Sequence, residues 1–127
     1  MTDNNVFTIA VSKGYLYNES IKLMKQIGID FADSDDRKLY NYDSSGRYKL
    51  LCVRPWDVPT YVAQRACDLG VVGRDVLLEK QEPVVQLLDL KFGGCSLVIA
   101  GLSEMVKKGY FPNMTVATKY SHSAALY

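Results

Sequence analysis

The sequence predicts an α/β fold built on a largely parallel sheet. Short apolar runs rich in β-branched residues recur along the chain: VFTIAV at 6–11, YKLLCV within 47–53 and DLGVV at 68–72. Segments with helical spacing separate them, and glycine or polar residues stand where each run ends. Strands alternating with helices are the pattern of βαβ units, and in open sheets of that kind ligands dock at strand ends.

The opening run at 6–11 suits a fully buried strand. Ser12, Lys13 and Gly14 follow it, and then Leu16, Ser20, Leu23, Met24 and Ile27 fall on one helical face. Gly28 stands where a helix C′ residue belongs. Residues 30–36 are acidic and irregular and read as a loop. A strand is expected over 37–42, with Leu39 and Asn41 facing opposite to Tyr40 and Tyr42. The cluster Asp43, Ser44, Ser45 and Gly46 is a turn, and a strand resumes over 47–53 to make a hairpin.

Pro55 ends that strand at Arg54, because the residue before proline is pushed to extended geometry. Asp57 is placed to cap a helix from Val58, with Pro59 tolerated in its first turn and Tyr61, Val62 and Ala66 on its apolar side. Residues 68–72 read as a buried strand with Gly73 as its tight exit. Asp75 is expected to cap a helix through Leu78 and Lys80, which Pro83 closes. Residues 84–90 (VVQLLDL) have strand composition. After a break at Gly93 and Gly94 come an expected strand at 95–100, a short helix at 103–108, a loop at 110–113, a strand at 114–118 and a new helix in SHSAALY. No internal repeat or low-complexity tract interrupts this order. The last elements leave an uncovered strand edge, so the chain is expected to be cut short.

A length of 127 residues is one domain's worth, and 48% hydrophobic with 23% charged residues is ordinary for a globular protein. A formal net charge of +1 gives no reason to expect nucleic acid or a membrane surface as partner, so any positive site must be local. Cys52, Cys67 and Cys95 are odd in number and too widely spaced for a zinc site or a disulfide framework, and read as reduced thiols. The N-terminus lacks the basic and long apolar regions of a signal peptide. No apolar run approaches the ~20 residues needed to span a bilayer. A cytoplasmic location is expected.

Lys13 and Gly14 after a buried strand suit anion binding: glycine lets the backbone approach, the next helix offers N–H groups and lysine adds a point charge. The segment is not a Walker A loop, and a Lys-Gly turn is by itself more often a solvated loop. Arg37 and Lys38 open one expected strand and Arg54 ends another. Arginine held there by Pro55 can present its fork to a phosphate, or it can pair with Asp57 or Asp75. Trp56 suits ring stacking or the core. The DLGVVG run lacks G-x-G-x-x-G, so no dinucleotide site follows. Asp57, Asp68 and Asp75 suit a magnesium-bound substrate, and helix capping accounts for Asp57 and Asp75 equally well. His122 is the sole histidine, so no Ser–His–Asp or Cys–His assembly arises. On residues alone this is an α/β ligand-binding domain.

The stretch RPWDVPTYV followed by DLGVVGRDVLLE resembles ATP phosphoribosyltransferase, in its short rather than its long form. AVSKGYL near the start, RKL at 37–39, LDLKFGGC at 88–95 and VATKY at 116–120 resemble the family in the same order. The resemblance implies a two-domain fold like periplasmic binding proteins, with substrates in the cleft. Residues 1–92 would then be the first α/β domain, and 93–127 the start of a second, incomplete one. It further implies transfer of a 5-phosphoribosyl group from phosphoribosyl pyrophosphate to N1 of ATP, releasing pyrophosphate with Mg²⁺ present. By motif match, Lys13, Arg37, Lys38 and Arg54 become candidate ligands for substrate phosphates or adenine, and Asp57, Cys95 and Lys119 candidate pocket-lining residues. Short forms also imply a regulatory partner similar to histidyl-tRNA synthetase, and a homodimer of the catalytic subunit.

Three departures from the family pattern stand out. Tyr15 and Ser96 occupy positions where the family usually has a basic residue. The family's phosphoribosyl pyrophosphate loop lies downstream of this sequence, which corresponds to roughly the N-terminal three-fifths of a short-form subunit by the resemblance rather than by length rules. The expectation is an enzyme when complete and inactivity for these residues alone. The alternative is a non-catalytic ligand-binding or regulatory module of the same fold, to which Tyr15 and Ser96 point.

Overall fold

Three of the apolar runs assemble into one sheet. The computed structural model describes residues 5–109 and 112–127. It contains β1 (Phe7–Ser12), β2 (Tyr40–Tyr42), β3 (Tyr48–Val53) and β4 (Leu69–Val71) in the spatial order β2-β3-β1-β4. β1 runs parallel to both β3 and β4, and β2 pairs antiparallel with β3 at the outer edge. The hairpin is tied by Asp43, a buried carboxylate that accepts the Tyr48 N–H at 2.9 Å and the Ser45 hydroxyl at 2.6 Å.

Strand alternation divides the core between the two faces of the sheet. Ile9 and Val11 of β1 join Leu50 and Cys52 of β3 on one face, where Tyr17 and Met24 of α1 (Tyr15–Gln26) and Phe31 cover them. Ala10 points the other way, toward Val58 of α2 (Val58–Ala63) and Cys67, with Leu51, Val53, Val62 and Val72 around them. The chain moves from β1 outward to β3, then back past β1 to β4. Right-handed crossovers in opposite directions put their helices on opposite faces, as found here. Gly70, which pairs with Ala10, lets α2 lie close on the sheet: a Cβ there would stand 2.6 Å from Val58 Cγ1 and 3.1 Å from Val62 Cγ2. α3 (Arg74–Lys80) follows β4 and buries Val76.

Several local expectations are corrected. The strand expected over 37–42 is confined to β2, because residues 35–38 close a turn instead, with the Lys38 N–H on the Asp35 carbonyl at 3.1 Å. The buried face of α1 is Tyr17, Ser20 and Met24, leaving Ile27 exposed. Asp57 holds the cap position of α2, but its backbone is already helical and its side chain makes no cap hydrogen bond. Gly73, not Asp75, precedes α3, since the strand-to-helix turn is tight enough to start the helix sooner. Asp75 sits in its first turn, where a carboxylate suits the helix dipole. Residues 84–90, 95–100 and 114–118 have strand composition but form no strand. A ladder needs a neighbour for its N–H and C=O groups, and these runs have none among the described residues.

The chain divides into two units, Met1–Gly93 and Gly94–Tyr127. The sheet and both clusters of buried residues belong to the first. The second holds two short helices, α4 (Ser103–Lys108) and α5 (Ser121–Leu126), neither with a buried residue. Glu104 opens α4 and Lys107 and Lys108 close it, in the sense that complements the helix dipole. The expected loop at 110–113 falls partly outside the described residues. No helix among the described residues is long and apolar enough to cross a membrane.

Candidate anion-binding site

Parallel strands deliver their C-terminal ends to one edge of a sheet. Ser12 lies beside Val53, and Val11 beside Val71, so Lys13, Arg54 and the Val72-Gly73 exit leave β1, β3 and β4 together. β2 runs the other way and begins at that same edge: Tyr40 pairs with Leu51, and the Leu39 carbonyl accepts the Cys52 N–H at 2.7 Å. Arg37 and Lys38 therefore arrive where Arg54 departs. The parallel strands follow a 2-1-3 order, which makes the β1–β4 boundary the point where chain direction reverses and where such sheets take ligands.

Each basic loop is shaped locally. Gly14 adopts φ 84°, ψ −132°, a conformation closed to side-chain-bearing residues, and lets α1 begin immediately at Tyr15. The first intrahelical bond runs from the Asn18 N–H to the Gly14 carbonyl, so the N–H groups of the first turn remain directed toward Lys13. At the end of β3, Pro55 sits second in a turn closed by the Asp57 N–H on the Arg54 carbonyl at 2.9 Å. Arg54 is exposed, and among the described residues it forms no ion pair with Asp57 or Asp75. Trp56, in the same turn, is half-buried.

Arg37 is engaged. Its guanidinium forks onto Asp35, with Nη2 to Oδ2 at 3.0 Å and Nε to Oδ1 at 3.1 Å, and its N–H meets Oδ1 at 2.9 Å. Those bonds hold the Asp35 carboxyl down at about 2. Lys13 makes its presence felt at Cys52: burial pushes that thiol up, the Lys13 ammonium opposes the shift, and Asp36 and Asp35 add to it. The edge is thus a mixed-charge cluster in which Lys13, Lys38 and Arg54 supply cations and Asp35 holds the fourth.

The three aspartates considered for magnesium do not converge. Asp68 lies at the opposite end of the sheet, where its carboxylate accepts the Thr8 N–H at 2.7 Å and its own N–H bonds the Thr8 carbonyl at 2.9 Å. Among the described residues no group of three or more His, Cys, Asp or Glu is placed to hold a metal ion. A depression of about 540 Å³ lies along β2, lined by Asp33, Lys38, Leu39, Tyr40, Asn41 and Tyr42. Of the basic residues only Lys38 reaches it, so it is not the strand-end site. Cys95 and Lys119 belong to the second unit, where Cys95 is an exposed thiol and the Lys119 ammonium stands 5.5 Å from the Tyr120 ring centre.

Sequence reading passed over Tyr17 and Asn41, two buried polar residues behind the basic loops. The Asn41 amide bonds the Tyr17 hydroxyl at 3.1 Å and the Asp35 carbonyl at 2.9 Å. The signal was available: asparagine on the inward side of an alternating strand demands a partner.

The fold and this edge define an α/β ligand-binding domain with a basic strand-end site. Comparison with known proteins then gives the family. Residues 54–127 match the family model of ATP phosphoribosyltransferase, and the chain belongs to that family. It is 41% identical over 122 residues to an ATP phosphoribosyltransferase of Caldanaerobacter subterraneus, a match covering 94% of this chain and 58% of the relative. It is 44% identical over 128 residues to one from Gloeothece citriformis, covering 96% and 60% respectively. Among solved structures, the ATP phosphoribosyl transferase (HisG:HisZ) complex from Thermotoga maritima is similar at a TM-score of 0.55 and 30% identity. That match covers 65% of this chain and 39% of the other. The chain thus spans about three-fifths of the length of the curated relatives it matches.

Proposed function

We propose that the full-length protein carrying this chain transfers a 5-phosphoribosyl group from phosphoribosyl pyrophosphate to ATP, the first step of histidine biosynthesis. N1 of the adenine forms a bond to the anomeric carbon as the carbon–oxygen bond to pyrophosphate breaks. Pyrophosphate is the leaving group, and Mg²⁺ would come bound to the polyphosphate substrates and offset their charge, since no acidic cluster among the described residues is placed to hold it. Such a reaction leans on positioning two substrates and neutralising their charge. Lys13, Lys38 and Arg54 supply that charge at the strand ends, and Arg37 joins them when a phosphate competes with Asp35. Asp57, Cys95 and Lys119 are candidate pocket residues of the full-length protein on the family resemblance alone. The observation carrying this reading is the arrival of four basic residues at one sheet edge, from three loops that follow or precede paired strands, in a chain of this family.

The full-length protein adopts, in this reading, a two-domain arrangement like periplasmic binding proteins, with 1–92 in the first domain and 93–127 opening the second. It works in the cytoplasm as a homodimer with a regulatory subunit resembling histidyl-tRNA synthetase. The Thermotoga maritima complex supports the second subunit by its composition.

The test is phosphoribosyl-ATP formation by the full-length protein with that subunit. Arg54→Ala is expected to lower kcat/KM by ~10–100-fold, the worth of a hydrogen bond to a charged group. Arg65→Gln, an exposed control, should leave it near the parent value. Equal, small effects of the two changes would remove Arg54 from the site. Phosphate binding without any turnover by the full-length assembly would favour the regulatory-module alternative.

A further inference from the structure

We propose that Asn41, through Tyr17, is a positioning residue that fixes the Arg37 and Lys38 turn relative to the Lys13 and Gly14 loop; this rests on the reading of those loops as a substrate site. The Asn41 side chain treats the backbone of Asp35 as a strand would treat its neighbour. Its Oδ1 accepts the Asp35 N–H at 3.0 Å, and its Nδ2 donates to the Asp35 carbonyl at 2.9 Å. The same Nδ2 reaches the Tyr17 hydroxyl at 3.1 Å. Because the Asp35 N–H can only donate, the amide orientation is fixed. Asn41 is 6% exposed and Tyr17 3%.

This network joins two basic loops, with the Tyr17 hydroxyl, which also meets the Ser34 side chain, on one side and the Asp35 backbone on the other. Tyr17 lies in the first turn of α1, four positions after Lys13. Asp35 opens the turn that presents Arg37 and Lys38, and its carbonyl also accepts the Lys38 N–H. An apolar pair could fill the same space at less desolvation cost, since a buried amide is worth keeping only when all its partners are met. What the amide adds over an apolar filler is a defined position for the Asp35 backbone, and with it the two cations that follow. A polyanionic substrate touching both loops needs that spacing held constant.

The experiment measures kcat and KM for both substrates in the full-length protein with its regulatory subunit, alongside thermal unfolding. Tyr17→Phe keeps the packed ring and removes only the hydroxyl. It is expected to raise KM for one substrate roughly fivefold, about the worth of one hydrogen bond, with kcat and melting temperature little changed. Asn41→Ala is expected to raise the same KM further. In a background carrying both Arg37→Ala and Lys38→Ala the two effects should vanish, because there is no longer a cation there to position. The proposal is overturned if Lys38→Ala or Arg37→Ala raises KM but Tyr17→Phe does not, or if the Asn41→Ala effect adds unchanged to that of the Arg37→Ala, Lys38→Ala double variant. If Lys38→Ala and Arg37→Ala both leave every KM unchanged, the substrate reading of the turn fails, and the proposal with it. Should Asn41→Ala not fold, Tyr17→Phe alone decides.

Discussion

A single methyl group added at Gly70 probes how α2, and with it the Arg54 turn, is seated on the sheet. The new Cβ would stand 2.6 Å from Val58 Cγ1 and 3.1 Å from Val62 Cγ2. Carbon pairs prefer ~3.5–4.0 Å, so the first contact is short by about 1 Å. Val58 is fully buried, and a β-branched residue on a helix has one strongly preferred rotamer, so it cannot swing aside. Either α2 lifts or β4 bends. Overpacking of this kind costs ~1–3 kcal/mol, while replacing glycine by alanine recovers ~0.4–1 kcal/mol from the unfolded chain, leaving roughly 1–2 kcal/mol of net destabilisation. Urea unfolding followed by far-UV circular dichroism measures it. In a Val58→Ala background the added methyl enters vacated space, so the penalty should shrink or change sign. A Gly70→Ala variant as stable as its parent, or an equal penalty in both backgrounds, would refute the close seating of α2.

Other expectations concern caps, charge and exposed surface. Because the Asp57 side chain makes no cap hydrogen bond, Asp57→Ala should cost under ~0.5 kcal/mol rather than the ~1 kcal/mol of a working cap, as urea unfolding would show. The Asp35 carboxyl is held at about 2 by Arg37. Burial resists ionisation of Asp43, but hydrogen bonds from Ser45 and from the backbone N–H groups of Tyr48, Ser45 and Arg47 outweigh it and bring its carboxyl below the usual range. Both groups ionise more readily folded than unfolded, so their stabilisation is present above ~4 and is lost as pH falls below that, toward about 2 for Asp35. Melting temperature should fall across that window, and less so in Asp35→Asn and Asp43→Asn; a flat profile would contradict this. Val85, Leu87 and Val98 are 81%, 76% and 80% exposed, so the 127-residue chain should enhance the fluorescence of an apolar dye, and a silent dye would argue that these side chains are covered.

The parallel strands were legible because a strand covered on both faces is predominantly apolar, as VFTIAV at 6–11, LLCV at 50–53 and LGVV at 69–72 are. The same composition misled at 84–90, 95–100 and 114–118. Strand propensity resides in a segment, whereas strand existence depends on a partner elsewhere in the chain. Asp57 and Asp75 were assigned caps from residue preference, but tight turns at Pro55 and Gly73 set the helix starts. At the site, Lys13 and Arg54 could be found from strand ends alone. The fork of Arg37 onto Asp35 and the bridge from Asn41 to Tyr17 depend on how 30–39 folds back over α1, which no local pattern encodes. The family came from the ordered motifs rather than from physical patterning.

The central claim is that anionic substrate binds at the C-terminal edge of β1 and β3 beside the start of β2. Titrating the ¹⁵N-labelled chain with ATP and Mg²⁺, and following backbone amide resonances, tests it directly. Shifts should concentrate at Lys13, Gly14, Arg37, Lys38 and the Arg54 turn, and leave Thr8 and Asp68 at the far end unmoved. Shifts clustered at that far end, or none at saturating nucleotide, would contradict the account.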